Sequence, residues 1–181
     1  MELKDCIQGR RSIRRYTGEP IPKETIERIV ALAAYAPSWK NTQVARYTVI
    51  TDKALIEKIA RECVLGFTHN TSILMNCAAL AIQSVVGKRS GYERDGSFST
   101  TQGTHWESFD AGIAAQTFCL AAHDLGVGTC ILGVFDEKKV AELIGLPTAQ
   151  AVTALIPMGY PAESPNAPMR KSAAELLKYI E

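Results

Sequence analysis

The chain has 181 residues, 46% of them hydrophobic and 22% charged, and a formal net charge of +1. That length suits a single domain, residues 1–181, with a substantial buried core. The near-neutral charge excludes an electrostatic field broad enough to recruit nucleic acid or an acidic membrane, so any anion site must be local.

Helix-like and strand-like patterns alternate along the chain and predict a sheet lying between helices. After Pro22, apolar residues recur at the i, i+3, i+4, i+7 spacing of one helix face, and Pro37 ends that helix. A Ser-x-x-Glu capping box begins the last helix at Ser172. In chain order, the predicted elements are helix 3–8, the helix between Pro22 and Pro37, strand 46–51, helix 53–62, strand 77–86, helix 106–125, strand 129–134, helix 136–144, strand 151–159 and the helix from Ser172.

The segment 87–104 is rich in glycine, serine, threonine and charged residues. A stretch this long without secondary structure is either disordered or functional, for example a lid over a site. It carries two aromatic and three basic side chains: Tyr92, Phe98, Lys88, Arg89 and Arg94.

The five cysteines are odd in number, and no pair has CxxC spacing. This usage predicts buried free thiols in a reducing compartment. The N-terminus has no signal-peptide pattern, and the longest apolar run, residues 77–82, is too short to cross a bilayer. We therefore expect a cytoplasmic protein that binds no membrane.

Common hydrolytic and metal-binding motifs are absent, since the sequence contains no GxSxG, HExxH or P-loop. Three histidines lack metal-ligand spacing and are expected to be surface or structural residues: His69, His105 and His123. Gly126 and Gly128 hint at a dinucleotide fingerprint, but Ile131 takes the place of the third glycine and the segment leads into a strand. We therefore expect neither a metal site nor a Rossmann domain.

Three polar segments could bind a ligand instead. Residues 8–16 contain four arginines around Ser12, and guanidinium groups match phosphate oxygens in bidentate fashion. Residues 36–43 are dense in amide and hydroxyl groups, which suit the edge of a heterocycle. Arg170 and Lys171 precede a predicted helix N-terminus, where a phosphate is readily bound. Taken alone, each segment is also typical of a solvated turn or polar surface loop.

The order and spacing of five motifs together are far more specific. They are RRS-x-R from Arg10, APSxxNxQ after the first long helix, DxGxAAQ in the Ala-rich helix, GxGTCILG, and a closing GYPAE followed by an RK pair. In this order they resemble the nitroreductase family of FMN enzymes, over residues 10–171.

The resemblance implies an α+β fold, a three-layer α/β/α sandwich with a mixed, mainly antiparallel sheet, which forms an intertwined homodimer. Two FMN sites would lie in the dimer interface, each built from both subunits. The resemblance implies that the phosphate and ribityl chain are held by Arg10, Arg11, Ser12 and Arg14, with Arg170 or Lys171 near the same phosphate. The partner subunit would contact the ring through Pro37, Ser38 and Asn41. The backbone of Leu132 and Gly133 would lie near the reactive N5 side, and Asn70 would lie at the polar edge of the ring.

The implied activity is a ping-pong oxidoreductase reaction in which NADH or NADPH reduces FMN and a small-molecule electron acceptor, such as a nitroaromatic or a quinone, reoxidises it. The cofactor carries the chemistry, so no catalytic side chain is expected. The 87–104 loop would gate substrate entry, with Tyr92 or Phe98 near the flavin face. The same motifs are also compatible with three other functions: flavin breakdown, reductive dehalogenation, and FMN binding without turnover. A further alternative is a domain that binds no cofactor.

Overall fold

Four strands form one sheet in the computed structural model, which describes residues 1–181. In chain order they are β1 (Ala45–Ile50), β2 (Ala79–Val86), β3 (Gly128–Thr129) and β4 (Gln150–Gly159). They lie in the order β1-β2-β4-β3, and every pair of them is antiparallel. A single isolated bridge, between Ser12 and Thr129, adds a parallel contact. The sheet is therefore mainly antiparallel, as predicted.

Helices cover both faces of this sheet. They are α1 (Leu3–Gly9), α2 (Lys23–Ala33), α3 (Lys53–Glu62), α4 (Thr68–Asn76), α5 (His105–Asp124), α6 (Glu137–Leu143) and α7 (Ala173–Leu176). Successive side chains of a strand point to opposite faces. In β2, Leu80 and Ile82 belong to a core with α3, α4 and α6, whereas Ala79 and Ala81 belong to a core with α2 and α5. The predicted three-layer sandwich is thus confirmed.

The longest helix, α5, carries small side chains on the faces that it buries. They are Ala111, Ala114, Ala115, Ala121 and Ala122. Small side chains let neighbouring backbones approach closely, and α2 packs on α5 with Ile29 fully buried. This close packing also buries the one charged side chain on the inner faces of α5, Asp110.

Two aspartates begin helices by capping free backbone N–H groups. The Oδ1 atom of Asp52 accepts from the Ala54 N–H at 2.9 Å at the start of α3. At the start of α6, Oδ1 of Asp136 accepts from the N–H groups of Lys138 and Lys139, each at 3.1 Å. These caps place both helix starts where the sequence predicts them, near residues 53 and 136.

The structure departs from the predicted elements in three places. The strand predicted over 129–134 is only the two-residue β3, and beyond it a single bridge joins Leu132 to Leu155 of β4. Helix α4 was not predicted, because THNTSILMN lacks a regular apolar spacing. The capping box at Ser172 is present, but α7 after it has only four residues. None of the helices combines the length and the hydropathy that a membrane span requires.

All five cysteines are free and buried, as predicted. Burial raises the pKa of the Cys77 thiol to about 11 and also raises the pKa of the other four thiols. Because the thiolate is the reactive form, native protein at about pH 8 should react with DTNB far more slowly than protein unfolded in urea. Five thiols should titrate in the unfolded chain. Rapid labelling of the native protein would contradict this buried arrangement.

Candidate functional site

The N-terminal segment after α1 lies along the short edge strand β3. The Ile13 N–H donates to the Thr129 carbonyl at 2.9 Å, and the Thr17 N–H donates to the Tyr160 carbonyl at 2.9 Å. Between them the buried Tyr16 hydroxyl lies 2.7 Å from the Ile13 carbonyl and 3.1 Å from that of Pro157. Burial raises the pKa of Tyr16 far above its usual range, so the hydroxyl stays protonated and can donate.

Two glycines let this segment come close to the sheet. A Cβ atom at Gly128 would lie 2.8 Å from the Ile13 Cβ, and one at Gly159 would lie 2.9 Å from the Tyr16 Cβ. Real Cβ atoms essentially never approach so closely. The absence of a side chain at both positions therefore sets the path of the arginine-bearing segment.

That path creates a polar cavity of about 320 Å³. Its lining contains four arginines, one serine, one asparagine and two prolines, without a carboxylate: Arg10, Arg11, Ser12, Arg14, Pro165, Asn166, Pro168 and Arg170. We call it the arginine cavity. A carboxylate-free set of guanidinium groups is suited to an anion such as a phosphate.

The arginines of the cavity differ in how far their donors are already used. Arg11 Nη1 donates to the carbonyls of Gln8 at 2.6 Å and Arg10 at 2.9 Å, which ties that side chain to the end of α1. Arg14 Nη1 makes only a long contact of 3.3 Å with the Ser12 carbonyl. No hydrogen bond engages the side chain of Arg10 or Arg170, so these groups keep their donors for a ligand.

Together with burial, the positive charge of the arginine cavity lowers the pKa of a neighbouring histidine, His123. Burial lowers the pKa of His123, and the charges of Arg10 and Arg11 lower it further. The arginine charges act in the same direction on Cys130: burial raises the pKa of its thiol, and Arg14 and Arg10 lower it, which partly offsets that rise. The cavity is thus electropositive although the whole chain carries a formal net charge of only +1.

Among the cations predicted at the C-terminal end, the structure brings only Arg170 to this cavity, and Lys171 does not line it. The helix predicted to add a dipole is the four-residue α7, and Glu175 occupies its start by accepting from the Ser172 N–H at 2.7 Å. The contribution of this end is therefore the guanidinium group of Arg170 and not a helix terminus.

The second predicted segment forms a strained loop, residues 36–43. A 3-10 turn covers Trp39–Asn41, and three non-glycine residues have positive φ angles: Lys40 at 44°, Asn41 at 55° and Gln43 at 48°. The Ser38 hydroxyl accepts from the Gln43 N–H at 2.9 Å and closes the loop. Such backbone strain persists only where the surroundings enforce it, often at functional sites.

This loop borders a different cavity, of about 410 Å³, between α2, α5 and β1. Pro37, Ser38 and Asp110 are among its lining residues, and Asn41 is exposed at the turn. No residue lines both this cavity and the arginine cavity. Within one chain, the two predicted groups of cofactor residues therefore border separate cavities.

The remaining predicted residues lie around the chain segment that leaves β3. Leu132 is buried, and its N–H and carbonyl both bond to Leu155, at 2.8 and 3.2 Å. Gly133 is exposed, and its N–H has no partner in the chain. Asn70 is buried and its Nδ2 donates to the Val134 carbonyl at 3.0 Å. Gly133 is thus the residue of this group with a free backbone donor, and Asn70 supports the segment.

Sequence reasoning did not predict that Asp110, Ser90 and Thr42 form a polar network beneath the strained loop. One signal was available, because Asp110 is a charged residue directly before the small and apolar run Ala111–Ala115. Sequence reasoning also missed Pro165, Asn166 and Pro168, which lie far along the chain from the arginines. The structure contains no group of three or more His, Cys, Asp or Glu side chains that could hold a metal ion.

Comparisons with known proteins find relatives that align with nearly the whole chain. A protein from Methanothermobacter thermautotrophicus assigned as NADH dehydrogenase/NAD(P)H nitroreductase is 31% identical over 170 residues, covering 92% of this chain and 81% of the relative. An FMN reductase (NAD(P)H) from Bacillus subtilis is 28% identical over 175 residues, covering 90% of this chain and 67% of the relative.

A crystal structure of a Desulfovibrio desulfuricans protein assigned as a nitroreductase, in complex with FMN, superposes with a TM-score of 0.75 at 26% identity, covering 100% of this chain and 98% of that one. The model of the nitroreductase family matches residues 7–160, which is most of the chain. Sequence and fold therefore agree that this chain belongs to the nitroreductase family.

Proposed function

We propose that this protein is an FMN-dependent NAD(P)H oxidoreductase that reduces small electron acceptors. The observation that carries the proposal is the arginine cavity, which offers several guanidinium groups and a serine without a competing carboxylate. Family membership supports it, as do the names of relatives, which include an FMN reductase and an NADPH-flavin oxidoreductase. Nitroaromatics and quinones are the acceptors that we propose.

In this proposal the arginine cavity holds the phosphate end of FMN. Arg10, Arg14 and Arg170 supply charge-assisted hydrogen bonds, which are about twice as strong as neutral ones. Ser12 adds a hydroxyl, and Arg11 adds charge from a side chain already fixed by two carbonyls. Lys171, just outside the lining, contributes at most a longer-range attraction.

The ring would lie on the side of β3 where Gly133 keeps a free N–H donor. Exposed Gly133 has no neighbouring atom within 4 Å of the position of a Cβ, so a flat group can approach its backbone. Asn70 holds this segment through the Val134 carbonyl, and buried Leu132 anchors it to β4. Pro37, Ser38 and Asn41 complete the ring site from a second copy of the chain.

The separation of the two cavities supports a homodimer. No residue lines both the cavity under the 36–43 loop and the arginine cavity, so in our proposal a second copy of the chain brings its loop to the arginine cavity. Two large apolar residues are exposed, Phe109 of α5 at 58% and Ile131 after β3 at 47%. We propose that the subunit interface covers them, since large apolar side chains are often buried between subunits.

Bound FMN would accept a hydride from NADH or NADPH and deliver reducing equivalents to the acceptor. The residues of the chain supply binding and position, and none of those lining the arginine cavity is a general acid at neutral pH. Substrate access therefore matters more than side-chain chemistry, and we propose no catalytic residue.

The visible absorbance spectrum of the purified protein tests this proposal. We expect yellow protein, or colourless protein that FMN reconstitutes, with a sedimentation mass of two chains. NADH or NADPH, added separately, should bleach the flavin, and menadione or a nitrofuran should restore the colour over repeated turnovers. Protein that cannot be reconstituted with FMN would overturn the proposal, and a yellow protein without turnover would overturn its enzymatic part.

A further inference from the structure

A buried polar network lies beneath the strained 36–43 loop. Asp110 of α5 is only 3% exposed and takes part in none of the salt bridges of the structure. The Trp39 N–H donates to its two oxygens, Oδ1 at 3.1 Å and Oδ2 at 3.0 Å. The hydroxyl of fully buried Ser90 donates to Oδ2 at 2.5 Å. The carboxylate thus accepts hydrogen bonds from two loops, residues 36–43 and residues 87–104.

The first of these loops needs such an anchor. Lys40 and Gln43 adopt left-handed backbone angles that are unfavourable for residues with long side chains. Each residue held in this backbone region costs roughly 1–3 kcal/mol and persists only where the surrounding structure fixes it. Trp39, at the start of the turn, is held by Asp110 through its backbone N–H. Thr42, at its end, is held through its hydroxyl, which lies 2.8 Å from the Ser90 hydroxyl.

The second loop is the 87–104 segment, which the same network fixes at its base. Ser90 is buried, and a Cβ at the adjacent Gly91 would lie 2.5 Å from the Gly103 carbonyl oxygen, so the two ends of the segment pack closely. Trp106 Nε1 donates to the Thr100 hydroxyl at 2.8 Å. The Trp106 ring also packs on that of Trp39, with centroids 4.4 Å apart.

At the surface the two loops are joined again. Lys40 Nζ lies 2.8 Å from Glu93 Oε1, and Glu93 also accepts from the Ser99 hydroxyl at 2.6 Å. Both charges are about half exposed, so this ion pair contributes little stability compared with the buried network. The segment 87–104 is therefore fixed at its base, where Ser90, Gly91 and Gly103 are buried, while residues 93–98, which follow Tyr92 and include its ring partner Phe98, are exposed.

We propose that Asp110 is a positioning residue which, through Ser90 and Thr42, holds the 36–43 loop and the base of the 87–104 segment as one unit shaped for the flavin ring. The inference rests on the proposed function, in which the 36–43 loop contacts the flavin ring. The residue acts through the loops, because its two oxygens accept from the Trp39 N–H and the Ser90 hydroxyl.

Serine-to-alanine variants at two buried positions test this inference. Ser90→Ala removes the hydroxyl that joins Asp110 to Thr42. Ser84→Ala is the matched control, because Ser84 is equally buried and its hydroxyl bonds to Gln150 on the sheet, away from both loops. We expect Ser90→Ala to weaken FMN affinity about 10-fold, because binding must then order loops that the hydrogen bond to charged Asp110 already holds in the wild type. Ser84→Ala should bind FMN as the wild type does.

Three further measurements separate positioning from general stability. The visible circular dichroism of bound FMN should change in Ser90→Ala and not in Ser84→Ala, even if both variants lose similar thermal stability. Asp110→Asn should bind FMN more tightly than Asp110→Ala, because an amide can accept from Trp39 and donate to Ser90. If Asp110→Ala does not fold, Thr42→Val, which breaks the other end of the network, replaces it and should weaken FMN binding.

Equal FMN affinity and equal dichroism in Ser90→Ala and Ser84→Ala would overturn the inference. That result is distinguishable from failure of the proposed function, which would appear as wild-type protein that does not bind FMN at all.

Discussion

Replacing Arg14 by glutamate is expected to leave the protein colourless at FMN concentrations that saturate the wild type. The change removes one charge-assisted contact, worth about 1.5–3 kcal/mol, or roughly 10- to 100-fold in affinity. It also puts a carboxylate into a cavity that has none, so repulsion of the phosphate adds to the loss. The side chain of Arg14 is exposed, and the hydrogen bond of this residue to Glu163 uses its backbone N–H, so folding should survive. Quenching of flavin fluorescence on titration into apoprotein measures the affinity.

Arg15→Glu is the matched control for this prediction. Arg15 is the next residue, is equally exposed and does not line the arginine cavity, so the same charge reversal should have a small effect on binding. Arg11 is a less direct probe, because its guanidinium group also holds the carbonyls of Gln8 and Arg10. Equal losses in Arg14→Glu and Arg15→Glu would mean that FMN responds to overall charge and not to this cavity.

Gly128→Ala is expected to damage both stability and the site. The new Cβ would lie 2.8 Å from the Ile13 Cβ and Cγ1, and a β-branched side chain has no flexible end to move away. Overpacking of this kind costs about 1–3 kcal/mol, which lowers Tm by roughly 2–4 °C per kcal/mol in a domain of this size. Because Ile13 lies between Ser12 and Arg14, relief of the clash should also displace the arginine cavity and weaken FMN binding.

Thermal unfolding and FMN titration together measure the effect of Gly128→Ala. Gly87→Ala serves as its control, since a Cβ there would meet its nearest neighbour, the Ala149 carbonyl oxygen, at an ordinary 3.6 Å and its φ is not positive. Gly87→Ala should therefore leave FMN affinity unchanged. A Gly128→Ala protein with wild-type Tm and wild-type affinity would show that the N-terminal segment is free to move away from β3.

Local sequence was a good guide where one face of an element is apolar or a cap is present. The spacing of Ile26, Ile29 and Ala33 predicts α2, and all three are buried. Local sequence was a poor guide where tertiary contacts decide whether a segment forms a strand. Residues 129–134 have strand-like composition, yet beyond the two-residue β3 they bond to β4 only through the Cys130 N–H and at Leu132, so most of the segment is not strand.

The sequence by itself determined the family, the layered α+β fold and the local concentration of arginines, because motif order, periodicity and charge are properties of the chain. Only the tertiary structure decided which of these groups meet. It placed Arg170 beside Arg10 and kept Lys171 out of the lining, and it showed that the Leu132 backbone is used by β4 whereas that of Gly133 is free. It also placed Asp110 under the 36–43 loop. The physical reason is that contacts between residues far apart in the chain depend on strand register and on close approach at glycines, and local propensity carries neither.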